Sequence, residues 1–337
     1  MLEREVQYSK KFSDVAERLA RNQGLCNSIV RAALDYYRVD RAELDEHTRQ
    51  MGAAGRGVDR VGVSQALKHF VRDWAAPGAG ERDAAFPCIT AALTALFPDP
   101  GRHAGVKVVL PGAGVGRLGH EIARLGGFQV TNNEWSMYQN VAYRFLTAPG
   151  HGERDAHTMH PFVDSWSHHR TTADMLRPVS FPETAVRVRG QDDDVVLVEG
   201  DFTTAFNSDE RYEGKVDAVV THFFIDTARN LMSYLETIRR LLKPSGEGYW
   251  INFGPLLYGT GPFVQLSLDE IVVMAEAMGF EFLDGVLPAD CPCYDGEVTL
   301  PAKGPAIRGV EAVYGFDERA LTKNAYNAQF WVARRRF

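Results

Sequence analysis

Hydrophobic residues recur with helical spacing at the start of this 337-residue chain and in short, strand-like runs further on. The helical pattern covers about Phe12 to Leu44 and again Ser64 to Trp74, with charged residues on the opposite face. A glycine-rich piece at residues 52–62 separates the two segments and predicts a loop. We therefore predict an N-terminal helical region over residues 1–80.

From residue 81 onward, runs of β-branched and aromatic residues alternate with helical spacing. The predicted strands cover residues 106–110, 128–135, 195–202, 216–226, 246–256, 281–287 and 328–336. The predicted helices cover residues 83–97, 136–146, 228–242 and 267–278. Regular alternation of this kind predicts an α/β domain over residues 81–337, built on a doubly wound and mainly parallel sheet.

One long segment interrupts the alternation between the second and third predicted strands. Residues 148–190 contain four prolines and few periodic runs. A stretch of this length inside an α/β domain is usually functional, so we predict a substrate lid or a small subdomain there.

The charge balance excludes two classes of partner. The chain has 37 Lys and Arg against 44 Asp and Glu, for a net charge of -7. That balance gives no electrostatic attraction to nucleic acid or to an anionic membrane. No apolar run approaches ~18 residues, and the first residues form no apolar signal core, so we expect neither a membrane span nor secretion. The expected compartment is the cytoplasm, with the nucleus as the alternative.

The cysteines and histidines predict no metal site. Cys26, Cys88, Cys291 and Cys293 are too few and too scattered for a disulfide framework, so we expect reduced thiols. The pair Cys291-Pro-Cys293 resembles half a metal site but lacks a second Cys or His pair at a suitable spacing. The histidine-rich segment at residues 151–170 fits no standard zinc pattern, and we interpret it as a solvated or substrate-lining loop.

Closely spaced glycines join the first predicted strand to a helix in the stretch VKVVLPGAGVGRLG, residues 106–119. Such a turn admits a ligand and directs the N–H groups of the first helical turn at it, which suits a nucleotide-like cofactor. Gly112, Gly114 and Gly116 fit G-x-G-x-G, the form common in S-adenosylmethionine-dependent methyltransferases. Arg117 stands where the third glycine of the dinucleotide fingerprint falls when it is counted from Gly112. The alternative is a tight turn of an ordinary α/β protein.

Acidic residues follow three of the predicted strands, where ligands of doubly wound sheets bind. Glu134 is placed to accept hydrogen bonds from ribose hydroxyls, or it is an ordinary carboxylate at a helix start. Asp201 and Phe202 suit the amine and the face of an adenine, or they are a turn residue and a core residue. Asp226 either projects into the cleft beside the transferable group or caps the next helix with Thr227.

Several long blocks resemble one family, in the same order along the chain. They are LKHFVRDWAAPGAGERD, LPGAGVGRLGHEIARLG, NNEWS, HHRTTADMLRPVSFPE, GDF, THFFIDTA, LKPSGEGYWINFGPLLY and YNAQFWV. These blocks look like those of the carnosine N-methyltransferase family. The resemblance implies a Rossmann-like class I methyltransferase sheet with an N-terminal helical region, an insert between strands two and three, and a homodimer.

The resemblance also implies roles for individual residues. Its cofactor site for S-adenosylmethionine comprises His69, Arg72, Gly112, Gly114, Gly116, Glu134, Asp201, Phe202 and His222. Its substrate side comprises Asp226, Tyr258, Gly259 and Tyr326, with Asp226 as the catalytic acid that contacts the substrate imidazole. Three positions depart from the family pattern: His69 replaces a frequent Gln, His222 replaces a frequent Cys, and Gly259 replaces the histidine of an LLYH motif.

The function that follows is methyl transfer from S-adenosylmethionine to an imidazole nitrogen of carnosine, a β-alanyl-histidine dipeptide, or of a related histidine-containing peptide. Gly259 leaves the acceptor open, so a protein-histidine methyltransferase is the alternative within this chemistry. An NAD-linked oxidoreductase and a non-catalytic binding protein on the same fold are the alternatives outside it.

Overall fold

A computed structural model describes residues 1–57, 59–100, 105–187, 194–207, 209–259, 261–315 and 317–337. The chain divides into two compact units. The first comprises Met1–Ala79, Met137–Arg187 and Gly315–Lys323, and the second comprises Gly80–Ser136, Val188–Tyr314 and Asn324–Phe337.

The helices, in chain order, are α1 (Leu2–Val6), α2 (Tyr8–Tyr37), α3 (Arg41–Ala53), α4 (Arg60–Trp74), α5 (Ala79–Leu96), α6 (Arg117–Arg124), α7 (Met137–Thr147), α8 (Thr172–Leu176), α9 (Leu231–Leu241) and α10 (Leu268–Ala277). The strands are β1 (Val106–Pro111), β2 (Phe128–Glu134), β3 (His157–Met159), β4 (Val179–Phe181), β5 (Val195–Glu199), β6 (Ala218–His222), β7 (Gly248–Gly254), β8 (Phe280–Phe282), β9 (Glu297–Val298), β10 (Ile307–Val313) and β11 (Ala325–Arg335).

In the first unit, the helical segment that the sequence predicts as continuous to Leu44 is two helices. α2 ends because Arg38 takes up a left-handed conformation, with φ 56°. Asp40 then starts α3, since its side chain accepts a hydrogen bond from the Ala42 N–H over 2.7 Å. The prediction missed the break because a capping Asp on a polar surface leaves the hydrophobic spacing almost unchanged.

The predicted insert contains three short regular elements within its described residues, and residues 188–190 lie outside the described residues. It contains the antiparallel pair of β3 and β4 and the short helix α8. The expectation of a mostly solvated histidine loop is wrong at His160, which is 3% exposed. Its backbone N–H donates to the side-chain oxygen of Asn22 in α2, and its ring Nδ1 pairs with the Leu176 carbonyl at 2.8 Å.

In the second unit, one nine-stranded sheet has the order β5-β2-β1-β6-β7-β11-β10-β9. The ninth strand, β8, pairs with the C-terminal end of β11. The five strands from β5 to β7 are parallel, and β11 runs antiparallel between β7 and its other neighbours. The predicted α/β fold with a mainly parallel sheet is therefore confirmed. The direction of the order reverses beside β1, which creates the switch point where doubly wound sheets bind ligands.

Alternate side chains of β1 pack against helices on the two opposite faces of this sheet. Val108 and Leu110 enter a core cluster with α5 and α6, whereas Val109 enters another cluster with α9 and α10. Successive side chains of a strand point to opposite faces. The run VKVVL is therefore apolar almost throughout, as expected for a buried parallel strand.

The antiparallel edge holds strands that the sequence did not predict. β10 pairs with β11 along its whole length, from Ile307 opposite Trp331 to Val313 opposite Ala325. The short β9 adds to β10 at Arg308 and Gly309. The surrounding prolines and glycines hide both strands from a pattern of hydrophobic spacing.

The expectation of four reduced thiols is wrong. A disulfide joins Cys88 of α5 to Cys293, and both residues are fully buried. Cys26 and Cys291 are free. The two bonded residues are 205 positions apart in the chain, so only the packing of α5 against the segment before β9 could reveal the pair.

Within the described residues, no three His, Cys, Asp or Glu side chains are grouped so as to hold a metal ion. In the same residues, no helix combines the length and the apolar composition that crossing a lipid bilayer requires.

Candidate cofactor and substrate site

Gly112, Gly114 and Gly116 form the turn at the carboxyl end of β1, and all three have positive φ, of 66°, 59° and 81°. Only glycine adopts such angles without a steric cost. A Cβ atom added to Gly112 would lie 2.5 Å from the Phe224 ring, so close packing fixes the glycine here as well. Gly116 directly precedes α6, which places the glycine turn at a helix N-terminus.

Glu134 connects the end of β2 to this turn. Its Oε2 accepts a hydrogen bond from the Gly114 N–H over 2.9 Å, and its Oε1 accepts one from the Ser136 N–H over 2.8 Å. The second contact is that of a carboxylate at a helix start, since α7 begins one residue later. Glu134 thus lies at the edge of the sheet and holds both the glycine turn and the start of α7 through hydrogen bonds.

Asn133, beside Glu134, is a positioning residue that sequence reasoning missed. Its Nδ2 donates to the carbonyls of Val198 and Gly200 over 3.0 Å each. These bonds tie the end of β2 to the loop that carries Asp201. An Asn at a strand end has no distinctive sequence signal, so only the parallel pairing of β2 with β5 reveals the role.

The position of Gly119 shows which glycine motif the turn before α6 contains. A Cβ atom at Gly119 would lie 2.3 Å from Oδ1 of Asn132 in β2, so this glycine allows α6 to pack closely on the sheet. That packing is the role of the third fingerprint glycine. Counted from Gly114, the chain reads G-x-G-x-x-G and ends at Gly119. Arg117 therefore does not exclude the dinucleotide motif.

Asp201 and Phe202 differ sharply in exposure. Asp201 is exposed, and its Oδ1 accepts hydrogen bonds from the N–H and the hydroxyl of Thr203, as in an Asx turn. Phe202 is 3% exposed, and its ring packs edge-on against Phe224 and Tyr234 at centroid distances of 5.5 and 5.7 Å. The carboxylate therefore faces solvent, while the ring belongs to the core.

Tyr234 is a further residue that the sequence did not single out. Its ring stacks on Phe224 at 4.6 Å, and Phe224 is the ring that packs against Gly112. Burial raises the pKa of Tyr234, and the nearby carboxylates of Asp201 and Glu134 raise it further. A pair of stacked rings therefore supports the glycine turn close to both acids.

Asp226 is a buried acid just after β6, within the short helical turn Ile225–Thr227. Its Oδ2 accepts a hydrogen bond from the Leu257 N–H over 3.0 Å. Burial raises the pKa of Asp226 to about 6, although this hydrogen bond lowers it. The alternative of a helix cap is wrong, because Asn230 caps α9 by accepting from the Met232 N–H.

Phe223 is held in a strained conformation next to Asp226. Its φ is 50°, which is unfavourable for a residue with a bulky side chain. The Phe223 N–H donates to the Phe253 carbonyl over 2.8 Å, and Gly254 leaves room for the bend, since a Cβ there would lie 3.0 Å from the Phe223 backbone. Strain of this kind often accompanies a functional site.

The strained residue Phe223 belongs to a group of aromatic rings at the edge of the sheet. The Phe223 ring stacks on Tyr314 at 5.3 Å, and Tyr326 in β11 lies 6.1 Å from Phe223 and 5.8 Å from Tyr314. His222, at the end of β6, lies 5.1 Å from the same Phe223 ring. We call Phe223, Tyr314 and Tyr326 the aromatic cluster. Tyr314 was not predicted, because it follows a strand that the sequence did not reveal.

Tyr258 and Gly259 lie in the loop after β7. The Tyr258 hydroxyl donates to the Leu266 carbonyl over 2.7 Å and accepts from the Leu266 N–H over 3.2 Å. The Tyr258 hydroxyl therefore holds the loop after β7 to the backbone of Leu266. Gly259 is exposed, and a Cβ atom there would meet nothing within 4 Å.

His69 and Arg72 lie in the first unit, on α4. Burial lowers the pKa of His69 to about 3, with a further lowering from Arg72, so the ring is neutral. The Arg72 guanidinium binds both carboxylate oxygens of Asp73, at 2.6 and 3.2 Å. Both residues thus belong to the first unit, whereas the glycine turn belongs to the second.

The sheet order separates two classes of protein that share a glycine turn. In the six-stranded dinucleotide fold, the sixth strand lies beside the fifth. Here the antiparallel β11 lies between β7 and β8, which are the fifth and sixth strands of this sheet in chain order. With the glycine turn after β1, this arrangement is the Rossmann-like sheet of class I methyltransferases.

Comparison with known proteins gives the family. Residues 54–294 match the family described as "Carnosine N-methyltransferase". The chain belongs to the carnosine N-methyltransferase family.

Named relatives agree with this assignment. The chain is 32% identical over 269 residues to the carnosine N-methyltransferase of Rattus norvegicus, a match that covers 77% of this chain and 64% of the rat protein. It is 29% identical over 288 residues to the protein of the same name in Schizosaccharomyces pombe, covering 81% and 70%. The chain thus spans about two thirds of the length of these relatives.

Solved structures are more distant. Phosphoethanolamine N-methyltransferase 2 of Haemonchus contortus, in complex with S-adenosyl-L-methionine, is 15% identical with a TM-score of 0.39, covering 67% of this chain and 45% of that one.

Proposed function

We propose that this chain transfers a methyl group from S-adenosylmethionine to an imidazole nitrogen of carnosine or of a related histidine-containing peptide. Membership of the carnosine N-methyltransferase family supports the reaction. The observation that carries the proposal is Asp226, a buried acid of raised pKa at the switch-point edge of the sheet. Ordinary turn residues are neither buried nor perturbed in this way.

The residues at the sheet edge fit the cofactor. The positive φ angles at residues 112, 114 and 116 require glycine, and because glycine has no Cβ atom a ligand can approach the backbone there. Glu134 is proposed to accept from the ribose hydroxyls, and the exposed Asp201 from the adenine amine. His69, Arg72, Phe202 and His222 are proposed contacts on the family resemblance alone. When bound, the cofactor supplies a methyl group on a positively charged sulfur.

Asp226 is proposed to select the tautomer of the acceptor. An imidazole with an ordinary pKa of ~6.5 is mostly neutral at neutral pH, so no strong base is needed to free its lone pair. When the Asp226 carboxylate accepts the N–H of one ring nitrogen, the other nitrogen must carry the lone pair. As that nitrogen is methylated the ring becomes positive, and the buried carboxylate stabilises this charge more strongly than water would.

The aromatic cluster is proposed to line the acceptor side. Flat rings suit an imidazole, and they favour a ring that acquires positive charge. Tyr326 is the member that the family resemblance also assigns to the substrate. Tyr258 contributes by holding the loop that donates the Leu257 N–H to Asp226, because its hydroxyl is bonded to Leu266.

A protein-histidine acceptor is the second candidate, and Gly259 favours it. The open space at Gly259 lacks the side chain that the family histidine would place against a dipeptide. A peptide acceptor longer than two residues would have room at this point. The preferred acceptor would be set by the difference between the binding free energies of the dipeptide and the protein.

The cofactor class can be tested separately from the reaction. We expect S-adenosylhomocysteine to raise the thermal unfolding midpoint and NADH to leave it unchanged, because a ligand that binds only the folded state stabilises it. Stabilisation by NADH alone would remove the methyltransferase proposal and support the oxidoreductase. Stabilisation by S-adenosylhomocysteine without any methyl transfer would support the non-catalytic binding protein.

A further inference from the structure

Arg229 is an exposed arginine three residues after Asp226, and the proposed reaction does not use it. Among the residues that the structure describes, it forms no ion pair and no side-chain hydrogen bond. Its guanidinium lies over the ring of Phe263, with 5.3 Å between its Cζ atom and the ring centroid. A cation with unoccupied hydrogen-bond donors therefore follows the buried acid closely along the chain.

One loop holds both the acid and the cation. The Leu257 N–H donates to the Asp226 carboxylate over 3.0 Å, and the Phe263 N–H donates to the Arg229 carbonyl over 2.6 Å. The loop after β7 is thus bonded twice to the turn after β6, and all four residues belong to the second unit. The Cα atoms of residues three apart in a chain are separated by at most ~11 Å, a span that one small peptide can cover.

The surroundings of these two charged residues are uncharged and partly apolar. Residues 223–230 contain no other charged residue, and residues 255–266 contain none. The side chains of Leu257 and Phe263 are 63% and 74% exposed. A few charged groups among apolar side chains are what fixes the orientation of a bound small molecule.

The Phe263 ring orients the guanidinium and leaves its donors available. A guanidinium within ~6 Å of a ring centroid is attracted to the face of the ring. The N–H groups lie in the guanidinium plane, and their planar fork matches the two oxygens of a carboxylate. Arg229 is therefore suited to binding a carboxylate of the ligand that Asp226 contacts.

We propose that Arg229 binds the α-carboxylate of a C-terminal histidine in the acceptor. The inference rests on the proposed function, in which Asp226 accepts an N–H of the acceptor imidazole. In a C-terminal histidine only the Cβ and Cα atoms join the ring to the carboxylate, so a ring held at Asp226 brings the carboxylate to the same loop. An internal histidine of a protein has a neutral amide at this point. Arg229 is thus a specificity-determining residue that selects peptides ending in histidine.

The experiment compares β-alanyl-histidine with its C-terminal amide, which differ only in the group that Arg229 binds. We expect the parent protein to have a KM at least about tenfold higher for the amide, with little change in kcat, since a charge-assisted contact is lost on binding. In Arg229→Gln the KM for the free acid should rise to that for the amide, which should itself stay unchanged. Arg229→Lys should retain part of the preference, because it keeps the charge but not the fork of donors.

Arg211→Gln is the matched control, because Arg211 is an exposed arginine in another segment of the same unit. It should keep the parent's preference for the free acid, and all variants should keep their thermal midpoint and their affinity for S-adenosylhomocysteine. An equal KM for the acid and the amide in the parent protein would overturn the inference. So would a preference for the acid that survives in Arg229→Gln.

Calorimetry separates this inference from the proposed function. The parent protein and Arg229→Gln, each saturated with S-adenosylhomocysteine, are titrated with both dipeptides, so no methyl transfer is required. Tighter binding of the free acid that depends on Arg229, without methylation of either dipeptide, would remove the proposed reaction and leave the carboxylate site. Equal binding of the two dipeptides to the parent protein, or binding of neither, would overturn the inference whichever acceptor is methylated.

Discussion

Asp226 and Leu257 are joined by a hydrogen bond in which the Leu257 N–H donates to the Asp226 carboxylate over 3.0 Å. The bond links the turn after β6 to the loop after β7. It is one of two backbone hydrogen bonds that favour the charged form of an acid whose pKa burial has raised to about 6. The fold therefore keeps a poorly solvated carboxylate at the edge of the sheet, and this carboxylate is the centre of the proposed chemistry.

Replacement of Asp226 by Asn should stabilise the fold near pH 8. An acid whose pKa is raised on folding binds its proton more tightly in the folded state, so its contribution is most favourable below the unfolded pKa of ~3.9 and is lost as pH rises through about 6. The loss amounts to roughly 3 kcal/mol at pH 8, at ~1.4 kcal/mol for each pKa unit. Asn cannot ionise and still offers an oxygen to the Leu257 N–H.

Urea unfolding between pH 4 and pH 8 measures this difference. The advantage of Asp226→Asn should grow from near zero at pH 4 and level off above about pH 7. Asp290→Asn, which changes an exposed acid in the same unit, should show no such trend. A pH-independent difference for Asp226→Asn would mean that the folded protein does not perturb this carboxyl.

Gly112→Ala should weaken both the fold and cofactor binding. The new Cβ would lie 2.5 Å from the Phe224 ring, and stacking on Tyr234 restrains that ring. We expect a loss of about 1–2 kcal/mol for the left-handed backbone and a further ~1–3 kcal/mol for the contact. Binding of S-adenosylhomocysteine should weaken in parallel, as measured by calorimetry.

Gly126→Ala separates the destabilisation caused by the left-handed backbone from that caused by the contact with Phe224. Gly126 also has positive φ, of 80°, but a Cβ there would meet nothing within 4 Å. This variant should lose only the backbone contribution and should keep its affinity for S-adenosylhomocysteine. If the two alanine variants were equally destabilised and bound equally well, the contact between Gly112 and Phe224 would have no role.

The sequence predicted the parts of this site that local patterns encode. The glycine turn after β1 and the acids at Glu134, Asp201 and Asp226 all follow runs that read clearly as buried strands. In parallel sheets such strand ends meet at one edge, so their neighbourhood followed from the fold class. The roles assigned to these residues remain predictions.

The missed parts depend on contacts that are distant in sequence. Asn133 matters because β5 lies beside β2, and Tyr314 matters because β10 brings it to Phe223. Gly119 was missed for a simpler reason: the glycine motif was counted from Gly112 alone, whereas packing against Asn132 shows where its last glycine lies. Strand ends can be predicted from one segment, but their partners require the whole sheet.

The disulfide between Cys88 and Cys293 predicts a measurable thiol count. The unfolded, unreduced protein should expose two thiols, those of Cys26 and Cys291, and the reduced protein should expose four. Opening a bond between residues 205 apart should destabilise the fold by up to about 5 kcal/mol in the chain-entropy account. Cys88→Ser should show this loss and Cys26→Ser should not. Four reactive thiols in the unreduced protein would contradict the bond.

Gly259→His should improve the use of carnosine. The position is exposed and open, so stability should change by no more than ~0.5 kcal/mol. The introduced imidazole restores the residue that the family resemblance places against the dipeptide, and a new hydrogen bond to a charged group should lower KM for carnosine by about tenfold. Steady-state kinetics should show little change in kcat, and Gly259→Ala should leave KM as it is. An unchanged KM in Gly259→His would favour an acceptor other than the dipeptide.

Transfer of a labelled methyl group tests the central claim most directly. The protein is incubated with methyl-labelled S-adenosylmethionine and a panel of carnosine, other histidine-containing peptides and histidine-containing proteins, and the products are identified by mass spectrometry. We predict label on an imidazole nitrogen of at least one acceptor, with Asp226→Asn losing most of kcat while it still binds S-adenosylhomocysteine. Label on any other atom, or an Asp226→Asn variant with unchanged turnover, would contradict the account.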